Sequence, residues 1–76
     1  MLLYRLFAER LRDEDAGEYL TYGISLYEVI GRTCVLVDEC PDVTLDYMRA
    51  SRLVQQLNTG QLSPLHFREV IEDFIG

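Results

Sequence analysis

The first half of the chain alternates between long apolar stretches and short polar breaks. Residues 2–12 and 19–30 are rich in aliphatic and aromatic side chains, and the polar run 13–17 between them ends in glycine. A polar run ending in glycine between two apolar stretches is typical of a β-hairpin with a loop longer than two residues. A third apolar stretch, Cys34–Val37, follows Gly31 closely enough for a second tight hairpin. Cys40 and Pro41 are then expected to begin a loop. The pattern therefore predicts three antiparallel strands.

The second half of the chain changes to a helical period. After Leu45 the apolar residues recur every three or four positions, as on one face of an amphipathic helix. These residues are Tyr47, Ala50, Leu53, Val54 and Leu57. Gly60 is then expected to end the helix as a left-handed cap. Ser63 and Pro64 supply an N-cap and a first-turn proline for a second helix. Its buried stripe is predicted to comprise Phe67, Val70, Ile71 and Phe74.

Strands followed by helices predict an α+β fold in the order β-β-β-α-α. Seventy-six residues are enough for one small domain, residues 1–76. Two amphipathic helices after three strands are expected to pack together on one face of the three-stranded antiparallel sheet.

One strand register satisfies several features of the first hairpin at once. If Arg12 pairs with Glu18, opposite charges meet across the strands, which is worth roughly 0.2–1 kcal/mol. Phe7 then lies opposite Gly23, and an aromatic ring can cover a glycine in a neighbouring strand. The same register gives the helices an apolar sheet face, through the pairs Leu6–Ile24, Tyr4–Leu26 and Ala8–Tyr22.

The second face of the sheet is also apolar in this register. It carries Leu3, Phe7, Leu11, Tyr19 and Tyr27, and a two-residue second turn adds Cys34 and Leu36. A solvated sheet face normally alternates to polar residues, and broad apolar patches mark interaction sites. The alternative is that scattered apolar residues are ordinary on a protein surface. We expect this face to bind a second copy of the chain or another protein, with Phe7 near the centre of a homodimer.

Composition narrows the classes of partner. Thirteen acidic residues, seven arginines and no lysine leave a net charge of −6, the wrong sign for nucleic acid or an anionic membrane. No apolar run approaches the roughly 20 residues that span a bilayer. Cys34 and Cys40 would lie about 20 Å apart along a strand, too far for a disulfide. We therefore expect no nucleic-acid or membrane partner, and a reducing, cytoplasmic location.

Residues that could carry chemistry are few. The single histidine, His66, precedes Glu69 and Asp73 at helical spacing, and histidine with carboxylates can bind a divalent metal. An ordinary solvated helix face explains the same pattern. A zinc site that used Cys34 and Cys40 with His66 would lack a close cysteine pair and a fourth ligand. No catalytic residue, cofactor or metal is assigned, and the protein is expected not to be an enzyme.

Two segments of the chain are similar to a known family. Residues 62–75 and the Tyr22-Gly23-Ile24 element resemble a domain of unknown function found in short bacterial proteins of the Firmicutes type. Its members carry a Tyr-Gly-Ile element and a closing Leu-x-Pro-x-His…Val-x-Glu-Asp-Phe helix. The resemblance implies the same fold and places His66, Glu72 and Asp73 in a family pattern, and it implies no activity.

Two functions follow from the sequence as expectations. The leading one is a small non-catalytic protein-binding or regulatory module that self-associates, which rests on the acidic charge and the two apolar sheet faces. The alternative is a metal-binding accessory subunit that uses His66, Glu69 and Asp73.

Overall fold

The computed structural model describes residues 1–76 as one antiparallel sheet followed by helices. The strands, in the spatial order β1-β2-β3, are β1 (Leu2–Asp13), β2 (Gly17–Ile30) and β3 (Thr33–Thr44). The helices are α1 (Tyr47–Gly60), a 3-10 turn (Pro64–His66) and α2 (Phe67–Ile75). The predicted α+β fold, β-β-β-α-α, is confirmed.

The predicted register of the first hairpin is also confirmed. Arg12 pairs with Glu18 and Phe7 pairs with Gly23. The pairing of β1 with β2 runs without a shift along the whole of β1. The even-numbered residues of β1 and β2 therefore share one face, because side chains alternate across a strand.

The third strand is longer than predicted. β3 continues past Val37, through Cys40 and Pro41, to Thr44, where the sequence indicated a loop. Proline cannot donate a hydrogen bond to a ladder and is confined to edge strands, and β3 is an edge strand. Two register shifts interrupt its pairing with β2. The extension was not predicted because the residues just after Val37 are polar, and an irregular edge strand needs no alternating apolar pattern.

The core lies between the even-numbered face of the sheet and the two helices. Nine buried residues form one cluster: Tyr4, Ile24, Leu26, Cys40, Val43, Leu53, Leu57, Phe67 and Ile71. Tyr4 joins the layers, because its ring centroid lies 5.4 Å from that of Phe67 and its hydroxyl donates to the Leu62 carbonyl at 2.6 Å. Burial raises the pKa of the Tyr4 hydroxyl.

The helix boundaries differ from the predicted ones by a few residues. The left-handed residue that ends α1 is Gln61, with φ 47°, and Gly60 remains helical. Ser63 accepts a hydrogen bond from the Leu65 N–H at 3.3 Å, but the turn that it caps is the 3-10 turn, and α2 begins at Phe67. The preference of left-handed helix caps for glycine was the reason for predicting Gly60 as the residue that ends α1.

Two aromatic residues of the predicted helix stripes are not in the core. Phe74 is half-buried, with the Arg49 guanidinium 4.7 Å from its ring centroid. Tyr47 is exposed and packs edge-on against Tyr22, with 5.5 Å between the ring centroids. Tyr47 is the first residue of α1 and Phe74 the penultimate residue of α2, and Phe74 packs at the margin of the core cluster.

Two side-chain amides at the end of α1 complete the outer edge of β1. Asn58 Oδ1 accepts from the Tyr4 N–H at 2.7 Å, and Asn58 Nδ2 donates to the Tyr4 carbonyl at 2.9 Å. Gln61 makes the same pair of bonds to Leu2, at 3.1 and 3.0 Å. The amides take the place of a neighbouring strand at these two positions, which explains why Gln61 rather than Gly60 adopts the left-handed conformation.

We expect Asn58→Ala to lower the free energy of unfolding by about 1–2 kcal/mol, because the partly buried N–H and carbonyl of Tyr4 would lose their partners. Gln61→Ala is the control: it removes the equivalent pair of bonds to Leu2, and one to the Asn58 carbonyl, at an exposed position where water can replace the amide. Urea denaturation of both variants measures the difference. Equal losses would contradict the role of burial at Tyr4.

Candidate functional site

The sheet has one face without helices, here termed the open face. The odd-numbered residues of β1 and β2 point to it, because the even-numbered ones enter the core. All five residues singled out from the sequence lie on it, and all five are half-buried: Leu3, Phe7, Leu11, Tyr19 and Tyr27. Leu36 of β3 pairs with Tyr27 and is 51% exposed on the same face. The structure therefore brings the predicted set together on one surface.

Phe7 lies near the centre of the open face and packs on the backbone of Gly23. A Cβ atom at Gly23 would overlap the Phe7 ring and lie 2.7 Å from the Cys40 carbonyl oxygen. Only glycine leaves room for this approach of ring to strand. The aromatic–glycine pair expected from the register is therefore present as a packed contact.

Two buried hydroxyl groups lie among the apolar side chains of the open face. Thr21 is fully buried, and its hydroxyl donates to Asp42 Oδ1 at 2.7 Å. Ser25 is 4% exposed and donates to Glu39 Oε2 at 3.3 Å. No buried side-chain nitrogen or oxygen lacks a hydrogen-bond partner. The hydroxyl groups already buried on the open face are therefore satisfied within the chain.

Asp42 connects this polar layer to the irregular end of β3. Its carboxylate accepts hydrogen bonds from Thr21 and, at 3.2 Å, from the Tyr19 hydroxyl. Partial desolvation and the hydrogen bond to Asp42 raise the pKa of Tyr19. Asp42 has φ 52°, in the left-handed region that aspartate tolerates better than most residues. Sequence reasoning missed Asp42, because it assigned this segment to a loop.

Several exposed apolar residues at the ends of the molecule were also missed. Fourteen residues span about 46 Å as a strand but about 21 Å as a helix. β2 and α1 both contain 14 residues, so α1 cannot cover the length of the sheet. The exposed apolar side chains of the strands include Leu20, Ile30, Val35 and Val37. The lengths of the predicted strands, compared with those of the predicted helices, already indicated that part of the sheet would stay uncovered.

Comparison with known proteins assigns a family. A family described as a family of unknown function, DUF6514, matches residues 1–76, the whole chain. The chain belongs to the DUF6514 family. No curated protein and no solved structure matches it significantly. DUF6514 membership assigns no activity to the chain.

The histidine cluster proposed from the sequence is only partly assembled in this DUF6514 chain. His66 Nδ1 lies 3.7 Å from Glu69 Oε2, and both side chains are exposed. Asp73 is exposed further along α2. The structure contains no group of three or more histidine, cysteine, aspartate and glutamate residues that could hold a metal ion.

The two cysteines occupy different environments. Cys34 is exposed and Cys40 is buried, and both are free thiols. Burial raises the pKa of Cys40. Cys40 lines an open depression with Arg68 and Glu72.

Neither helix of this DUF6514 chain has the length and apolar character of a membrane-spanning segment.

One ion pair joins α2 to β3. Arg68 donates to both carboxylate oxygens of Asp38, at 2.7 and 3.1 Å. This hydrogen bonding holds the pKa of Asp38 below its ordinary value, and the pKa of Arg68 is raised in turn. The pair stabilises the fold only while Asp38 is ionised.

We expect the Asp38 pair to contribute stability above the unfolded-state pKa of aspartate, about 3.9, and to lose that contribution as the pH falls through the lowered folded-state pKa. Asp38→Asn should therefore be less stable than the parent at neutral pH, and the two should converge in acid. Urea midpoints measured across the acid range test this. Glu14→Gln, at the exposed hairpin tip, is the control; a constant gap between parent and Asp38→Asn at every pH would contradict the expectation.

Proposed function

We propose that this DUF6514 protein is a small non-catalytic protein-binding module that self-associates as a homodimer through its open face. The supporting observation is the amount of surface that the single chain leaves uncovered. Its accessible surface is 5465 Å², against about 4,800 Å² for a compact monomer of 8.8 kDa. Its radius of gyration is 13.1 Å, against about 11 Å for a compact chain of this length.

The size of this excess suits a protein interface. About 700 Å² separates the two areas, and each partner of a standard interface contributes roughly 800 Å². The excess arises because the strands outrun the helices and one sheet face has no helix layer. The open face belongs to this surface, and its five apolar side chains named above remain partly accessible.

The open face is also suited to a two-fold interface, in which both subunits use the same patch. It carries charges of both signs, namely Arg5 and Glu9 on β1 and Glu39 on β3. Arg5 is exposed and has no ion-pair partner within the chain. When two open faces meet about a two-fold axis, Arg5 of each copy can approach carboxylates of the other, while Phe7 and its neighbours are buried between the sheets.

We expect light scattering to show a dimer for the parent at tens of micromolar and a monomer for Leu36→Glu. Leu36 is 51% exposed on the open face, so glutamate there disrupts the interface with little effect on the fold. Phe7→Glu should also be monomeric and tests the centre, with circular dichroism to verify folding. Leu65→Glu adds the same charge at a residue that is 89% exposed in the 3-10 turn, and it should remain dimeric. A monomeric parent would overturn the homodimer.

We also propose that the protein works in a bacterial cytoplasm. An exposed free thiol at Cys34 and a second free thiol at Cys40 suit a reducing compartment. The resemblance of residues 62–75 to short bacterial proteins supports the source. Fractionation of the native cells, with the protein recovered outside the soluble cytoplasmic fraction, would contradict the location.

A further inference from the structure

The outer edge of β1 is occupied at one end and open along the rest. The backbone groups of Leu2 and Tyr4 point away from β2 and are held by the amides of α1. In an antiparallel ladder every second residue points its N–H and carbonyl the same way. The next outward-facing residues are Leu6, Ala8, Arg10 and Arg12, here termed the free edge. No hydrogen bond within the chain reaches their outward groups.

The free edge differs from the other edge of the sheet. Folded proteins blunt edge strands with bulges, proline or covering side chains. β3 carries two register shifts and Pro41, and the beginning of β1 is covered by Asn58 and Gln61. The free edge has no bulge, proline or covering amide, because β1 pairs with β2 without a shift along its length. It therefore presents a regular row of four N–H and four carbonyl groups. Charged side chains also discourage edge pairing, and Arg10 and Arg12 leave the free edge open chiefly to an acidic strand.

We propose that the free edge binds an extended acidic segment of a partner protein as a fourth strand. This inference rests on the proposed binding function but not on the homodimer. Arg10 and Arg12 are exposed and stand two residues apart on the same side of the sheet. Glu18 lies opposite Arg12 in β2, but neither arginine makes a salt bridge within the chain. Ala8 and Leu6 continue the same side with a small and an apolar side chain. Main-chain pairing supplies affinity in such complexes, and alternate side chains supply specificity.

The free edge defines the sequence pattern of its partner. An antiparallel strand places its first residue opposite Arg12 and its third opposite Arg10, and acidic side chains there meet the guanidinium groups. Its fifth and seventh residues lie opposite Ala8 and Leu6, where apolar side chains fit. Asn58 ends the available edge at Tyr4 and so limits the segment to seven residues.

A second copy of the chain fits the free edge less well. A two-fold axis centred on Glu9 sets Glu9 against the same residue of the second copy, and one centred on Arg10 does the same for Arg10. Like charges directly opposite each other destabilise an antiparallel pair. An axis centred on Ala8 places Arg12 of one copy opposite Tyr4 of the other. The backbone N–H and carbonyl of Tyr4 are already bound by Asn58. Charge therefore favours a different, acidic chain.

The test uses fluorescence anisotropy with a labelled heptapeptide that has glutamate at its first and third positions, valine at its fifth and seventh, and threonine elsewhere. The parent should bind it saturably, with an affinity that falls as salt is added. A glutamine version of the peptide, and an Arg10→Gln, Arg12→Gln double variant, should each bind at least about tenfold more weakly.

Ala8→Pro isolates the contribution of the backbone. The Ala8 N–H points outward, so proline removes a donor from the free edge while the β1–β2 ladder stays intact. We expect this variant to keep its fold by circular dichroism and to lose peptide binding, while Ala8→Thr, which keeps the N–H, binds within about twofold of the parent.

Three results would overturn the proposal: no saturable binding by the parent up to about 1 mM peptide, equal binding by Ala8→Pro, or equal binding of the glutamine peptide. Larger assemblies of the parent that disappear in Ala8→Pro would assign the edge to a second copy instead. Light scattering on the same samples separates this outcome from the homodimer. If the parent is monomeric and binds the peptide, as monomeric Leu36→Glu should, the edge proposal holds and the homodimer does not. If the parent is a dimer that binds no peptide, the homodimer holds and the edge proposal does not.

Discussion

Phe67→Ala is expected to lower the free energy of unfolding by about 3–5 kcal/mol, the usual cost of truncating a fully buried aromatic residue. Phe67 is 0% exposed, begins α2, and packs against the ring of Tyr4. The variant would leave a cavity between the sheet and the helices that the surrounding side chains fill only in part. A small domain has little stability in reserve, so a large fraction of the chains could be unfolded at room temperature.

Urea denaturation followed by circular dichroism measures the effect, and Leu65→Ala is the matched control. Leu65 lies two residues earlier and is 89% exposed, so its truncation should change stability by less than about 0.5 kcal/mol. Phe74→Ala should fall between the two, because Phe74 is half-buried. If Phe67→Ala unfolded at the parent's midpoint, α2 would not pack on the sheet as described.

Gly23→Ala is expected to be the second most damaging change, at about 3 kcal/mol, because it overpacks the sheet at the point where Phe7 approaches the backbone. The new Cβ would overlap the Phe7 ring and lie 2.7 Å from the Cys40 carbonyl oxygen. The ring can move aside, but the carbonyl belongs to the neighbouring strand and cannot move without disturbing the ladder. Thermal and urea denaturation give the size of the loss.

Gly60→Ala is the matched control for this change. Gly60 lies in α1 without a positive φ, and a Cβ there would meet nothing within 4 Å. Alanine at that position should stabilise the protein by roughly 0.5–1 kcal/mol, since glycine is the poorer helix former. Adding Phe7→Leu to Gly23→Ala should recover part of the lost stability, because it removes the movable half of the overlap. No recovery would assign the whole cost to the Cys40 carbonyl.

The two proposed surfaces would bind different partners. The open face buries apolar side chains and suits a two-fold partner, whereas the free edge offers unpaired backbone groups and two unpaired arginines. The surfaces adjoin along β1 but use different atoms, since Leu36→Glu acts on one and Ala8→Pro on the other. A dimer would carry two free edges, and so two copies of the same segment, which raises the apparent affinity for a partner that is itself multivalent.

The local patterns of the sequence were sufficient for the element order, the first hairpin and the composition of the open face. Alternation has a period of two, so one correct pair such as Arg12–Glu18 places every other residue of the hairpin on its face. Leu3, Phe7, Leu11, Tyr19 and Tyr27 followed from that single register. The amphipathic period of α1 likewise identified Ala50, Leu53 and Leu57 as buried.

Other features depended on contacts between residues far apart in the chain, and tertiary structure alone decided them. Gln61 rather than Gly60 ends α1 in the left-handed conformation because its amide binds Leu2, 59 residues away. β3 extends to Thr44 because its irregular end is held to β2, in part by Asp42 and Thr21. Local propensities amount to less than about 1 kcal/mol per residue, and buried contacts and hydrogen bonds to distant segments outweigh them at such positions.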